Sequence, residues 1–288
     1  MTAPSLISGL SEVATRYDAV LCDIWGVVHN GRERHGPACG ALVNFREARG
    51  PVVLISNAPR PAGTVIAQLD SLGVPREAWS AVVTSGDATR AALSERAPGP
   101  VWAIGPERDQ PLYDGLPLTF SGPEGAAFIC CTGLEDDRTE TADDYRERLR
   151  APARLGIEMI CANPDRVVQI GDRLIPCAGA VADVYEALGG RVIMAGKPFA
   201  PIYELALSAL ADGANAVVDR TRVLAIGDGI VTDVKGANLQ GFDLLFVAEG
   251  IHGLELIGPD GALDPDKTAE RLAREHARAD WLAPALSW

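Results

Sequence analysis

The chain has 288 residues, of which 47% are hydrophobic, and its formal net charge is −13 at pH 7. This length and apolar content suit one large domain or two moderate ones. The acidic balance argues against nucleic acid or an anionic membrane as a partner. No run approaches the ~20 apolar residues of a membrane span, and the N-terminal segment lacks the pattern of a secretory signal. We therefore expect a cytoplasmic protein.

Short apolar strands alternate with amphipathic helices along the chain. Strands are predicted at 19–24, 51–55, 81–84, 192–195, 222–227 and 243–248, and helices near 37–49, 60–72, 199–212 and 231–240. Near-continuous apolar strands joined by helices are typical of a parallel sheet covered on both faces. The fold class predicted is α/β, with a Rossmann-like, doubly wound parallel sheet.

The middle of the chain is predicted to form a second, smaller α/β domain. Its strands are expected at 100–104, 126–131 and 157–162, its helices near 86–96 and 141–154, and a hairpin at 167–176 turning over Gly171-Asp172. We therefore expect a core domain of residues 1–84 and 187–288, into which residues 85–186 are inserted. From 262 the pattern predicts a helix and then an apolar tail at 281–288. The tail packs either on the core or on another subunit, so a homodimer stays open.

The cysteines show no CxxC spacing and no histidine at a metal-ligand interval. Most lie in apolar stretches, which predicts buried free thiols and leaves a zinc site or a disulfide as alternatives. They are Cys22, Cys39, Cys130, Cys131, Cys161 and Cys177.

Polar residues stand at the ends of predicted core strands. Asp23 closes the strand at 19–24, either as a loop-capping residue or as a functional anion, and Gly26 then allows a sharp turn. Ser56-Asn57 closes the strand at 51–55, where the two side chains either cap the next helix or donate hydrogen bonds to a phosphate. Lys197 follows the strand at 192–195, as a solvated surface residue or as a counter-charge to a phosphoryl oxygen.

Four segments carry polar residues at strand ends. The fourth, which follows the strand at 222–227, is the most specific indication of a functional site. It reads Gly227-Asp228-Gly229-Ile230-Val231-Thr232-Asp233, so two carboxylates span a loop and a first helical turn. Mg²⁺ prefers oxygen ligands of this kind, while helix capping by Asp233 or Thr232 is the alternative. Because ligands bind at the carboxyl ends of parallel strands, we expect the four segments to converge on one crevice.

This order of motifs resembles the haloacid dehalogenase superfamily. It is most similar to the class IIA phosphatases with a large C2-type α/β cap, such as para-nitrophenylphosphatases and sugar phosphatases. The likeness covers most of the chain and includes GPACGALVNF, VVTSGDAT, CANPDRV and GKPFAPIYELAL as well as the four motifs.

The resemblance implies a Mg²⁺-dependent phosphatase of small phosphorylated metabolites. By similarity, Asp23 attacks phosphorus and forms an aspartyl-phosphate, and Asp23, Asp228 and the backbone carbonyl of Trp25 hold the metal. Asp233 orients metal-bound water or binds the metal more weakly. By the same similarity, Ser56 hydrogen-bonds the phosphoryl group, and Lys197 balances the carboxylates and stabilises the phosphoryl oxygens.

Further residues are predicted to contact the substrate. Asn57 either contacts it or orders its loop. Asn163 and Asp165 lie in a loop of the inserted domain that faces the site, with an ordinary Asn-Pro turn as the alternative. Arg166 is a weaker candidate for binding an anionic substrate.

One position departs from the family pattern. The second residue after the nucleophile is usually an Asp that acts as general acid and base, and here it is Trp25. General acid–base catalysis contributes typically ~10²–10⁴-fold. The alternatives are that His29 substitutes, that the substrates have good leaving groups, or that hydrolysis of the intermediate is slow. An aromatic here also resembles the metal-independent dehalogenases. Dehalogenation or other group transfer at Asp23, and a weakly catalytic phospho-ligand binder, therefore stay open.

Overall fold

The computed structural model describes residues 4–170, 173–214, 219–258 and 262–288. It separates into two compact units. The first comprises Met1–Ser56, Ile66–Val83 and Tyr203–Trp288, and the second comprises Asn57–Val65 and Thr84–Ile202. The boundaries inferred from the sequence, at 84/85 and 186/187, remain a prediction.

The first unit is built on a seven-stranded sheet in the order β1-β13-β12-β11-β2-β3-β4. Its strands are β1 (Ser5–Leu6), β2 (Ala19–Asp23), β3 (Val52–Ser56), β4 (Ala81–Thr84), β11 (Val223–Gly227), β12 (Asp243–Val247) and β13 (Trp281–Ala283). Neighbouring strands from β1 through to β3 run parallel. The predicted fold class, a doubly wound parallel α/β sheet, is confirmed.

Every residue of β2, β3 and β11 is buried. These strands carry the runs AVLCD, VVLIS and VLAIG, which have almost no polar residue before the last position or two. A strand covered on both faces has no solvent-facing side, so the sequence is apolar throughout rather than alternating. The polar side chains come where the strands end, at one edge of the sheet.

The second unit contains a four-stranded sheet in the order β10-β7-β6-β5 and a separate hairpin. The sheet strands are β5 (Val101–Ile104), β6 (Phe128–Cys131), β7 (Glu158–Cys161) and β10 (Arg191–Met194), all parallel. The hairpin pairs β8 (Val167–Ile170) with β9 (Arg173–Pro176). The predicted hairpin is confirmed, but its turn, Gly171-Asp172, lies outside the described residues.

The structure corrects the sheet to which the strand predicted at 192–195 was assigned. We expected this strand in the core sheet, whereas β10 pairs with β7 in the second unit. A short apolar run followed by Gly-Lys-Pro predicts a buried strand but not which sheet it joins.

Helices follow most strands. They are α1 (Gly36–Ala48), α2 (Ala62–Ser71), α3 (Ser85–Arg96), α4 (Arg146–Arg154), α5 (Ala178–Ala187), α6 (Ala200–Ala214), α7 (Lys235–Gln240), α8 (Gly253–Leu256) and α9 (Pro265–Arg274). Among the described residues, no helix combines the length and the apolar character that crossing a bilayer requires.

Helix α3 begins with a reciprocal cap. Thr84 Oγ1 accepts the N–H of Asp87 at 3.0 Å, and Asp87 Oδ2 accepts the N–H of Thr84 at 2.9 Å. Such a capping box satisfies two backbone donors that the helix itself cannot pair. All six cysteines are buried thiols outside any disulfide, as the sequence predicts.

Candidate active site

Three strands of the first unit end in the predicted functional residues. Asp23 is the last residue of β2, Ser56 is the last of β3, and Asp228 directly follows β11. Strand β2 lies between the other two, so Asp23 stands between Asp228 and Ser56 along the sheet edge. From β2 the chain adds β3 and β4 on one side and β11 to β13 on the other. The point where strand order reverses is where ligands bind in open α/β sheets.

Asp23, Asp228 and Asp233 form a compact acidic cluster. One carboxylate oxygen from each lies within 4.8 Å of the other two. Their exposed fractions are 6%, 6% and 4%. Two like charges at that separation repel by about 3.5 kcal/mol at an effective dielectric constant of about 20. Buried hard oxygen donors at this spacing suit a small divalent cation, and Mg²⁺ fits the donor set.

Asp228 is held by the loop after β12. The N–H of Ile251 donates to Asp228 Oδ2 at 2.7 Å. A Cβ built on Gly250 would collide with the same carboxylate, and so would one on Gly26, whose φ is +88°. Two glycines therefore let backbone close around Asp228, and Gly26 makes the sharp turn expected after the nucleophile position.

The loop after β12 is the part of this site that the sequence analysis missed. Glu249-Gly250 follows the strand predicted at 243–248, and a glycine after a buried strand is a signal of close backbone approach. This signal is weaker than a carboxylate at the same place would be. Any residue except proline can donate a backbone N–H, so the residue type does not reveal the hydrogen bond to Asp228.

Asp233 lies in a five-residue π-type turn, Ile230–Val234, that precedes α7. Its Oδ2 accepts the N–H of Gly229 at 3.0 Å, and its own N–H donates to the Gly229 carbonyl at 2.8 Å. Asp233 therefore closes its loop by hydrogen bonds to the Gly229 backbone, whereas neither the start of the π-type turn nor the start of α7 has the side-chain cap that the alternative expects. Asp233 also brings a carboxylate oxygen into the acidic cluster.

Trp25 packs against His29 on the loop beyond Asp23. The two rings meet edge to face, with centroids 5.0 Å apart. The loop is closed by Gly26, whose N–H donates to the His29 carbonyl at 2.8 Å. A Cβ on Gly31 would lie 2.5 Å from Trp25 Cη2, so the indole covers that backbone closely.

The His29 imidazole is buried and neutral. Its Nδ1 accepts the N–H of Gly31 at 3.0 Å, which leaves the ring proton on Nε2. Burial, and secondarily the charge of His35, lower the pKa of His29 to about 4. With its Nδ1 lone pair engaged, His29 is a poor substitute for the missing carboxylic acid at Trp25.

This environment makes stability pH-dependent. Between an unfolded-state pKa of 6.5 and a folded-state pKa of about 4, the unfolded chain binds more protons at His29, so stability falls as pH falls. Relative to His29→Asn, whose side-chain oxygen can still accept the Gly31 N–H, the wild type should lose about 3 kcal/mol by pH 4. Denaturant unfolding from pH 7 to pH 4 measures it. Parallel curves for the two proteins would contradict a buried neutral imidazole.

The other predicted site residues lie in the second unit. Lys197 follows β10 and is 2% exposed, Asn57 is 4% exposed and Asn163 is 9% exposed. Asp165 accepts a hydrogen bond from Asn57 Nδ2 at 2.9 Å. Arg166 forms a two-pronged ion pair with Asp183, with N···O distances of 3.1 and 2.7 Å, so its guanidinium is engaged within its own unit.

Comparison with known proteins assigns the family. A model described as haloacid dehalogenase-like hydrolase matches residues 20–116, and a HAD-hydrolase-like model matches residues 194–280. The crystal structure of a haloacid dehalogenase-like hydrolase from Brucella suis is 44% identical over 98% of this chain and 100% of its own, with a TM-score of 0.86. The chain belongs to the haloacid dehalogenase-like hydrolase family.

Two further proteins similar to this chain carry named activities. A 5'-nucleotidase of Bacillus subtilis is 26% identical over 82% of this chain and 88% of its own length. A glycerol phosphate phosphatase of Mycobacterium tuberculosis, solved in complex with calcium, is 27% identical over 83% of this chain and 68% of its own, with a TM-score of 0.62. The prediction of a phosphatase of the haloacid dehalogenase-like family is confirmed.

Proposed function

We propose that this phosphatase hydrolyses phosphate monoesters of small metabolites through an aspartyl-phosphate on Asp23, with Mg²⁺ as cofactor. The observation that carries the proposal is the buried cluster of Asp23, Asp228 and Asp233 at the strand-order reversal of the sheet. A relative solved in complex with calcium supports a divalent cation as cofactor.

The proposed reaction has two displacements. A carboxylate oxygen of Asp23 bonds to phosphorus while the bond from phosphorus to the leaving oxygen breaks. The freed alkoxide or phenoxide takes its proton from solvent. Water then attacks the aspartyl-phosphate, which releases inorganic phosphate and restores the Asp23 carboxylate. Splitting the hydrolysis in this way is ordinary covalent catalysis.

The remaining residues bind and neutralise charge. Asp23, Asp228 and the backbone carbonyl of Trp25 would hold Mg²⁺, which when bound stabilises negative charge on the phosphoryl oxygens. Asp233 keeps the loop after β11 closed around this centre. The hydroxyl of Ser56 donates to the phosphoryl group, and the ammonium of Lys197 offsets its charge.

Metal dependence tests the proposal. Phosphate release from an aryl phosphate should disappear with a chelator and return with added Mg²⁺. Asp228→Asn should need far more Mg²⁺ for half-maximal rate, because it removes one charged ligand. Asp70→Asn is the matched control, since Asp70 is exposed and pairs with Arg76 away from the sheet edge. Full activity in the chelator, or an unchanged Mg²⁺ requirement in Asp228→Asn, would refute the metal site.

A further inference from the structure

The carboxamide of Asn57 grips the main chain of Lys197 on both sides of its Cα. Asn57 Oδ1 accepts the Lys197 N–H at 2.7 Å, and Asn57 Nδ2 donates to the Lys197 carbonyl at 3.2 Å. Both residues are almost completely buried, at 4% and 2% exposure. The Asn57 side chain therefore makes the two main-chain hydrogen bonds that a neighbouring β-strand would make with Lys197.

The second N–H of the same carboxamide is also engaged. It donates to Asp165 Oδ1 at 2.9 Å. A carboxamide has two N–H donors, and here one bonds to Asp165 and the other to Lys197. The Asn57 carboxamide therefore keeps no donor for a substrate phosphate, which favours the second predicted role of Asn57, ordering of its loop, over a substrate contact.

Asp165 is itself fixed by the loop after β7. Its N–H donates to Asn163 Oδ1 at 3.0 Å, which makes the segment 163–165 an Asx turn. Its carbonyl accepts the N–H of Gly179 at 3.1 Å, at the start of α5. Asp165 thus holds the Asn57 carboxamide in the one orientation that matches both polar groups of Lys197.

Gly196 allows this close approach. A Cβ on Gly196 would collide with Asn57 Oδ1 and would lie 2.8 Å from both Pro164 Cδ and Ser85 Oγ. Gly196, the residue before Lys197, is therefore enclosed by Asn57, Pro164 and Ser85. No larger side chain fits there unless Asn57 moves away.

We propose that Asn57 is a positioning residue, which clamps the Lys197 main chain and so fixes where the Lys197 ammonium points, with Asp165 orienting the clamp. The inference rests on the proposed role of Lys197 in offsetting phosphoryl charge. A lysine side chain is long and flexible. Fixing its backbone removes much of the conformational freedom that would otherwise vary the position of its ammonium group. A misplacement of about 1 Å can cost on the order of 10²-fold in rate.

A swap of the two side chains tests the clamp. Asn57→Asp loses both donors and faces the Asp165 carboxylate, so kcat should fall roughly 10- to 100-fold. Adding Asp165→Asn restores a donor between the two positions, and the carboxylate introduced at position 57 still accepts the Lys197 N–H. The swapped enzyme should regain part of this loss, about three- to tenfold in kcat over Asn57→Asp, because position 57 still lacks the donor to the Lys197 carbonyl. A substrate contact at Asn57 would gain nothing from the change at Asp165.

The control is Asn57→Asp combined with Asp183→Asn. It has the same net charge as the swap, but Asp183 pairs with Arg166 on the exposed face of α5. The clamp is refuted if the wild type hydrolyses an aryl phosphate with Mg²⁺ and the swap is no faster than this control.

Hydrogen exchange separates failure of the clamp from failure of the proposed function. The Lys197 amide should exchange slowly in the wild type and at least about tenfold faster in Asn57→Ala, measured by mass spectrometry on the peptide that spans it. Equal exchange in the two proteins refutes the clamp. An inactive wild type with a protected Lys197 amide refutes the phosphatase mechanism while the clamp stands.

Discussion

Asp23→Asn should abolish turnover, with kcat at least about 10⁴-fold below the wild type. A carboxamide is not a nucleophile toward phosphorus, and no acid–base chemistry at a neighbouring residue can replace the bond that Asp23 forms. The fold should survive, because Asn has the same shape and position 23 contributes its backbone to the buried ladder between β2 and β3.

Trapping the intermediate separates loss of the nucleophile from loss of a metal ligand. An acid quench during turnover of a labelled phosphate ester should leave the label on the peptide that contains residues 19–31 in the wild type and none in Asp23→Asn. Asp228→Asn at saturating Mg²⁺ should still show label on that peptide. Label on another residue, or wild-type turnover by Asp23→Asn, would rule out this nucleophile. Halide release from a 2-haloacid without metal would favour the dehalogenase alternative.

Trp25→Asp should accelerate the hydrolysis of alkyl phosphates, whose leaving groups need a proton. A carboxylic acid supplies typically ~10²–10⁴-fold in such reactions. Replacing the indole also removes its edge-to-face contact with His29 and uncovers Gly31, so both steric and chemical effects follow from the change.

Trp25→Asn is the matched comparison for that experiment. It loses the same packing and has nearly the same shape as Asp, but it cannot transfer a proton. The ratio of kcat between the Asp and Asn variants should be large for alkyl phosphates and near one for aryl phosphates with good leaving groups. Equal rates for both variants on alkyl phosphates would show that proton transfer at position 25 does not limit the reaction.

The sequence predicted the core of the sheet well because buried parallel strands leave an unmistakable apolar signature. The strands at 19–24, 51–55, 81–84, 222–227 and 243–248 all appear in the seven-stranded sheet. The outer strands β1 and β13 were missed. Two or three residues are too short for any periodicity, and β13 lies inside a segment read only as an apolar tail. Helix α5 was missed as well, since its run AGAVADVYEA is mostly small residues.

The acidic centre could be foreseen because each member is a charged residue at a strand end or in the turn that follows. The spacing from Asp228 to Asp233 indicated a loop and a helical turn, and the structure has both. The partners of these residues were harder to predict. The Ile251 N–H that donates to Asp228 could come from almost any residue type. An asparagine at position 57 does not by itself indicate a bond to the Lys197 main chain. Such contacts follow from where distant backbone passes, and a local pattern does not carry that information.

Strand β13 lies between β1 and β12 in the sheet. The segment that follows β13 is hydrogen-bonded to the segment that follows β1. Leu10 N–H donates to the Ser287 carbonyl at 2.8 Å, and Ser287 Oγ donates to the Ser8 carbonyl at 3.0 Å. Trimming residues 281–288 would therefore release the N-terminal segment and lay bare the flank of β12, whose Leu244, Leu245 and Phe246 are fully buried. An uncovered apolar strand is a template for pairing with other molecules. Residues 281–288 thus cover the flank of β12 through the pairing of β13.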